Sequence, residues 1–323
     1  MANEEKNITL INKIKELGYD IRQKFYKDHE HAEKGIYSYR YWIIPEENQK
    51  LEGTKFYYDI EKDFIHFTSL ESLFDILNSK HLHLYNLPSM DDKYELEYAL
   101  KTLSFIDSDD EYKTKEQLYI FSMCSSSRIL NEEPKKKKHL LWKLHGRDGS
   151  GVIIQLKIEN ELNLWYNYYL TECFYNLDNF EAIKELHKIT NKEILDIKLA
   201  SFIKLPIYEF ENEIRLVFDK QNSGSIENKG VLIYPLIYPD KLNKRENISY
   251  FQLPIYNFFK NNPEVYPNPP NGLGLNYEMP KISITEIILG YRYNEDDLKN
   301  LQNRLVFFDS NIRVRLSDLK RYY

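Results

Sequence analysis

From residue 61 onward, short β-branched and aromatic runs interrupt helical periodicities at irregular intervals, and this pattern constrains the fold most. Phe64-Ile-His-Phe-Thr68 reads as a strand. Ser69 then stands where a helix N-cap belongs, with Glu71 in the first turn and Leu70, Leu73, Phe74 and Leu77 at helical spacing. His81–Tyr85 alternates like a second strand, residues 93–104 read as a helix, and Leu118–Cys124 as a strand. Residues 125–139 form a polar loop carrying the run Lys135–Lys138, and His139–His145 is a short helix ended by Gly146. Gly151–Lys157 is a strand, residues 178–204 a long helical pattern, and Phe210–Phe218 and Gly230–Tyr238 two further strands. Pro263, Pro267, Pro269, Pro270 and Pro280 mark a loop. Ile282–Gly290 is a strand, residues 295–304 a helix, and Arg313–Leu316 a last strand. Regular βαβ alternation is missing, so the expectation is α+β, with mixed or antiparallel sheets and flanking helices.

The N-terminal region reads differently. Ile11, Ile14, Leu17, Ile21 and Phe25 recur at helical spacing, which Gly18 weakens, while residues 31–60 show no clear period. Residues 1–60 are therefore expected to be a helical extension to a domain spanning 61–323. The net charge of −6 argues against broad, charge-driven nucleic-acid binding but leaves room for a local basic groove. Cys124 and Cys173 are too few for a disulfide scaffold or a four-cysteine zinc site and fit a reducing compartment. The sequence has no apolar run approaching about 18 residues and no secretory leader pattern, so a cytoplasmic protein without a membrane span is expected.

The segment 209–217 is the most informative for chemistry. As a strand it would place Phe210, Ile214 and Leu216 on one face and Glu209, Glu211, Glu213 and Arg215 on the other. Paired carboxylates beside a guanidinium could polarise a sugar hydroxyl, activate a nucleophile and hold an anion. The plainer alternative is a sheet with one wet face on which charges alternate. His66 is either a core histidine bonded to a backbone group, or a residue that donates to a ribose hydroxyl beside a helix start able to bind phosphate. Ser122, Ser125, Ser126 and Ser127 could bind phosphate or merely cap a loop.

Other features are weaker. His29/His31 and His81/His83 have the i, i+2 spacing of shared metal ligands on a strand, and Asp91, Asp92 and Glu95 lie near the second pair, but no metal signature completes either. The lysine run is either a solvated loop or a nucleic-acid contact. Gly146-Arg-Asp-Gly-Ser-Gly151 lacks P-loop and dinucleotide-fingerprint spacing and reads as a turn between a helix and a strand.

Taken in order, several of these segments resemble a bacterial domain family of unassigned function. The matching stretches are His66-Phe-Thr68, Leu70–Leu77, Phe121-Ser122, Leu141-Trp142 with His145-Gly146, Gly151-Val152, Phe210-Glu211-Asn-Glu213-Ile-Arg215 and Ile284–Gly290. The family's asparagine–aspartate–proline turn is replaced by Met90-Asp-Asp-Lys93, and the insert at 125–139 is long. That family is distantly similar to ADP-ribosyltransferases, including DarT-type enzymes acting on DNA. The resemblance implies an ADP-ribosyltransferase-like core and NAD as substrate. It implies that His66 holds the adenosine ribose with Thr68 and Ser69 close by, that Ser122 belongs to the cofactor-binding set, and that Arg215 faces either the glutamates or a phosphate. Glu213 would hold the nicotinamide ribose and stabilise an oxocarbenium-like transition state, and Glu211 would orient or deprotonate the acceptor. Such a protein would be a toxin or anti-phage defence effector modifying nucleic acid or protein, with an antitoxin or defence-system partner. The alternatives are a catalytically inactive nucleotide- or partner-binding module, and a metal-dependent nuclease built on Asp91, Asp92 and Glu95.

Overall fold

The structure, a computed structural model, describes residues 61–86, 97–99, 118–132, 134–159, 168–175, 200–220, 236–238, 248–262, 264–265 and 279–322, with Tyr58, Trp165 and the backbone of Asn12, 19–27 and 37–45. The first described strands are β1 (Tyr19–Lys27) and β2 (Tyr37–Pro45), which pair antiparallel as a separate sheet. The helical reading of the N-terminus therefore fails over 19–27. Ile21 and Phe25 stand four residues apart, a spacing that fits period 2 as well as period 3.6, and the aromatic run at 37–44 supplies a strand partner.

The main sheet has ten strands and is mixed, as an α+β fold requires. Its strands are β3 (Asp63–Thr68), β4 (His81–Asn86), β5 (Leu118–Ser125), β6 (Val152–Ile158), β7 (Tyr168–Glu172), β8 (Glu213–Asp219), β9 (Leu236–Tyr238), β10 (Ile248–Pro254), β11 (Ile282–Leu289) and β12 (Arg313–Leu316). One path runs β12-β11-β6-β3-β5-β4-β10-β9, while β8 pairs with β5 and with β7. Among the described strands, β11 and β12 pair in parallel and the other registers of this sheet are antiparallel.

Both faces of the sheet are covered. One carries the larger core, where Phe64, Phe121, Ile154, Leu216 and Ile287 meet Leu73 and Leu77 of α1 (Leu70–Ser79) and Leu301 and Leu305 of the C-terminal helix Glu295–Leu305. The other carries a smaller core, where Ile65, Ile153 and Ile288 meet Leu141 and Trp142 of α2 (Lys135–Leu144). A register shift between Ile284 and Glu286 keeps Ile282 and Ile284 and then Ile287 and Leu289 in the larger core, because one extra residue reverses the side-chain alternation.

The sequence reading needs three local corrections. The lysine run is the first turn of α2 behind Pro134, not part of a loop, and Lys138 is buried, its Nζ donating to the Leu130 carbonyl at 2.5 Å and to Asp318 at 3.3 Å. Residues 128–132 form a short π-helical turn. Residues 206–211 are a 3₁₀ turn rather than strand, and β8 begins at Glu213 after Asn212, which adopts a left-handed φ of 46°. Pro206 at the start of that turn withholds a ladder donor, and asparagine tolerates the left-handed conformation better than most residues. The Met90–Lys93 turn, Asp91, Asp92 and Glu95, the pair His29/His31 and most of the 178–204 pattern lie outside the described residues.

Candidate functional site

β3, β5 and β8 bring the singled-out residues together at a split in the sheet. One edge of β5 is shared by two strands. Tyr119 and Ile120 face β4, and Cys124 and Ser125 face β3. Both partners run antiparallel to β5 and are joined through α1, so β3 must leave β5 before β4 can take its place. The β3–β5 register ends at Ile65–Cys124. At the next residue the His66 ring enters the opening, with Nδ1 2.8 Å from the Ser122 carbonyl and the ring 4.5 Å from that of Phe121.

A carbonyl oxygen only accepts, so Nδ1 carries the hydrogen. Burial holds the His66 pKa below the ordinary histidine value; the Ser122 carbonyl partly offsets this, and nearby His145 adds to it. The ring is therefore neutral near pH 7, with Nε2 as a lone-pair acceptor. This corrects the expected polarity: His66 would accept a hydrogen bond from a ribose hydroxyl, not donate one.

Along the other edge of β5, Ser122 and Cys124 stand opposite Arg215 and Glu213 of β8. The Ser122 hydroxyl donates to Glu213 Oε1 at 2.5 Å. Ser122 thus joins the two halves: its main-chain oxygen takes His66, and its side chain takes Glu213. Arg215 donates from Nε to Glu213 Oε1 at 2.7 Å and from Nη1 to the Ser201 carbonyl at 2.6 Å. Lys204 reaches Glu211 Oε2 and Glu213 Oε2, each at 2.5 Å. The main-chain N–H of Glu213 donates to the Tyr175 hydroxyl at 3.0 Å.

All four charged groups are buried: Arg215 is 1 % exposed, Glu213 5 %, Glu211 6 % and Lys204 7 %. The wet-face reading of this strand is therefore overturned. Burial alone would raise both carboxyl pKa values, but the cations outweigh it. Beside Arg215 and Lys204, Glu213 is held down to about 2. The His145 hydrogen bond and Lys204 hold Glu211 below its usual range. Two anions and two cations leave a cluster with no net charge, ionised throughout in a dry setting.

Glu211 and Glu213 do converge, but through a turn rather than a pleat. Left-handed Asn212 between them lets both carboxylates meet one lysine, while Glu209 is exposed at the surface. Of the two roles open to Arg215, pairing with glutamate is the one seen. Ser69 caps α1, its hydroxyl accepting from the Ser72 N–H at 3.0 Å, and is buried. Thr68 is half-buried where β3 ends against Val152. Ser125 and Ser127 lie within 3.3 Å of each other, and the Ser125 hydroxyl accepts from the Arg128 N–H at 3.1 Å, so these two hold the loop together.

Sequence reasoning missed Lys204, Tyr175 and the part played by His145, whose Nε2 lies 3.0 Å from Glu211 Oε1. A lone lysine in the apolar stretch Ala200-Ser-Phe-Ile-Lys-Leu205 was a readable sign of a buried counter-ion, because such a residue needs a carboxylate. Cys124 is half-buried, its Sγ 3.4 Å from the Glu211 carbonyl, and burial pushes its thiol up. Among the described residues, no three His, Cys, Asp or Glu side chains are grouped as a metal ion would need, and no helix is long and apolar enough to cross a membrane.

Comparison with family models, curated proteins and solved structures found no match for this chain.

Proposed function

We propose that the chain is an NAD-dependent ADP-ribosyltransferase acting at the split between β3 and β5. One observation carries this reading. His66, Ser122 and Glu213 come from three distant stretches and are linked by two hydrogen bonds, His66 to the Ser122 carbonyl and Ser122 to the Glu213 carboxylate. The motif resemblance assigns His66 and Glu213 to the two ends of NAD, and Ser122 joins them.

In this reading the adenosine ribose donates to His66 Nε2. The nicotinamide-ribose 2′-hydroxyl replaces the half-buried Ser122 hydroxyl as donor to Glu213 Oε1. Lys204 and Arg215 keep Glu213 ionised and fix its orientation. As the glycosidic bond breaks, its electron pair leaves with nicotinamide and positive charge builds on the ribose. A carboxylate already in place stabilises that charge without reorganising. The acceptor in this proposal is a nucleic acid or a protein, and the role that of a toxin or anti-phage effector.

A second reading has its own support. The Glu213 charge is matched by two buried cations, which weakens its pull on a developing ribose cation. This favours a module that binds a nucleotide or partner without turnover. The readings separate when purified protein is incubated with labelled NAD and separate DNA, RNA and protein fractions. The transferase reading predicts label in one fraction, lost in Glu213→Gln. No nicotinamide release with any fraction would leave the binding module. Divalent-metal-dependent cutting of DNA or RNA would point instead to the nuclease reading.

A further inference from the structure

We infer that His145 is the general base that takes the acceptor's proton, with Glu211 as its positioning residue; this rests on the transferase reading. Glu211 is poorly placed for that role itself. Its side chain is 8 % exposed, Oε2 accepts from Lys204 at 2.5 Å, and Oε1 faces His145 at 3.0 Å. His145, by contrast, has a side chain 42 % exposed and stands between Glu211 and solvent.

The fold fixes the backbone that carries this imidazole. His145 closes α2, its N–H donating to the Leu141 carbonyl at 2.8 Å, and the Gly146 N–H follows to Trp142 at 3.0 Å. A side chain at Gly146 would overlap the Trp142 ring, so the chain turns there on glycine. The His145 ring lies 6.4 Å from that of Phe67, the residue next to His66.

The hydrogen-bond polarity suits a base. Ionised Glu211 only accepts, so Nε2 carries the hydrogen of that contact, and the base form of the imidazole has its lone pair on Nδ1. An acceptor with an O–H or N–H group would lose its proton to Nδ1 as its lone pair bonds to the ribose anomeric carbon. The glycosidic bond breaks with its electrons on nicotinamide, and Glu211 stabilises the resulting imidazolium. The proton then passes to solvent. An acceptor, a histidine and a carboxylate in line follow the general logic of an oriented base.

The test is steady-state ADP-ribosyl transfer by wild-type protein and by His145→Ala, with and without added imidazole. The expected result is a kcat lower by about 10²–10⁴-fold, an unchanged KM for NAD, and partial recovery with imidazole. His145→Gln controls for packing and should melt with the wild type while losing activity similarly. Undiminished transfer by His145→Ala, or a loss that imidazole does not restore, would overturn the inference while the active wild type upholds the transferase reading. A wild type that releases no nicotinamide overturns both.

Discussion

Glu213 is a carboxylate kept ionised inside the protein by two cations, and its neighbours follow from that requirement. Removing one partner of a buried ion cluster leaves an uncompensated charge. Lys204→Met should therefore destabilise the fold by about 3–5 kcal/mol, read from urea unfolding. Loss of only a few tenths would mean that Arg215 alone neutralises both glutamates. Acid sensitivity follows from the same groups. Folded Glu213 sits at about 2 against an ordinary 4.5, so its contribution is complete above pH 4.5 and disappears as pH falls toward 2. Glu211 moves in the same direction. His66 is held neutral below its ordinary 6.5, so the unfolded chain gains a proton first and stability begins to fall below pH 6.5. Burial shifts His81 and His83 the same way. Melting temperature should accordingly fall modestly below pH 6.5 and steeply below pH 4.5. His66→Gln should flatten part of the first decline; an unchanged profile would contradict the neutral assignment. At this scale the sequence displayed the two carboxylates and the arginine but not their dryness, because Glu213 and Arg215 are enclosed by partners from distant stretches, Ser122, Ser201 and Lys204.

The elements show why some of the fold was legible and some was not. The helix after Ser69 carries its own cap and spacing, and the helix Glu295–Leu305 carries a capping box from Asn294 to Asp297, so local signals sufficed. Strands β4, β6 and β11 were likewise apparent from alternating or continuous apolar runs. At 19–27, Ile21 and Phe25 fit either period, and only pairing with β2 decides between them. At 209–211 the alternation of charges imitates a strand that Pro206 and Asn212 prevent. The convergence of Glu211 and Glu213 was thus expected from a geometry the chain does not adopt. The glycine turn behind α2 was readable as a turn, but its tightness was not. Gly149 adopts φ +79° with its open side against the Tyr291 ring, and a side chain on Gly290 would overlap the Gly149 carbonyl. Gly290→Ala should cost about 1–3 kcal/mol by forcing backbone shifts, visible as a lower denaturant midpoint. An unchanged midpoint would mean that β11 and this turn are not held so closely.

Among the described residues, one sheet carries apolar cores on both faces, and it splits where β5 exchanges β3 for β4. That break is absent from any local pattern, since it depends on two strands, joined by α1, competing for one edge. It is also where motifs read separately along the chain meet around Ser122. The central claim is that His66 and Glu213 act on one dinucleotide, the first by binding it and the second by stabilising its broken bond. The most direct measurement is nicotinamide release as a function of NAD concentration for wild type, His66→Ala and Glu213→Gln. The account predicts turnover by the wild type, a raised KM with nearly unchanged kcat for His66→Ala, and a kcat lower by about 10²–10³-fold with similar KM for Glu213→Gln. A silent wild type, or two variants that release nicotinamide as fast as the wild type at every NAD concentration, would contradict it.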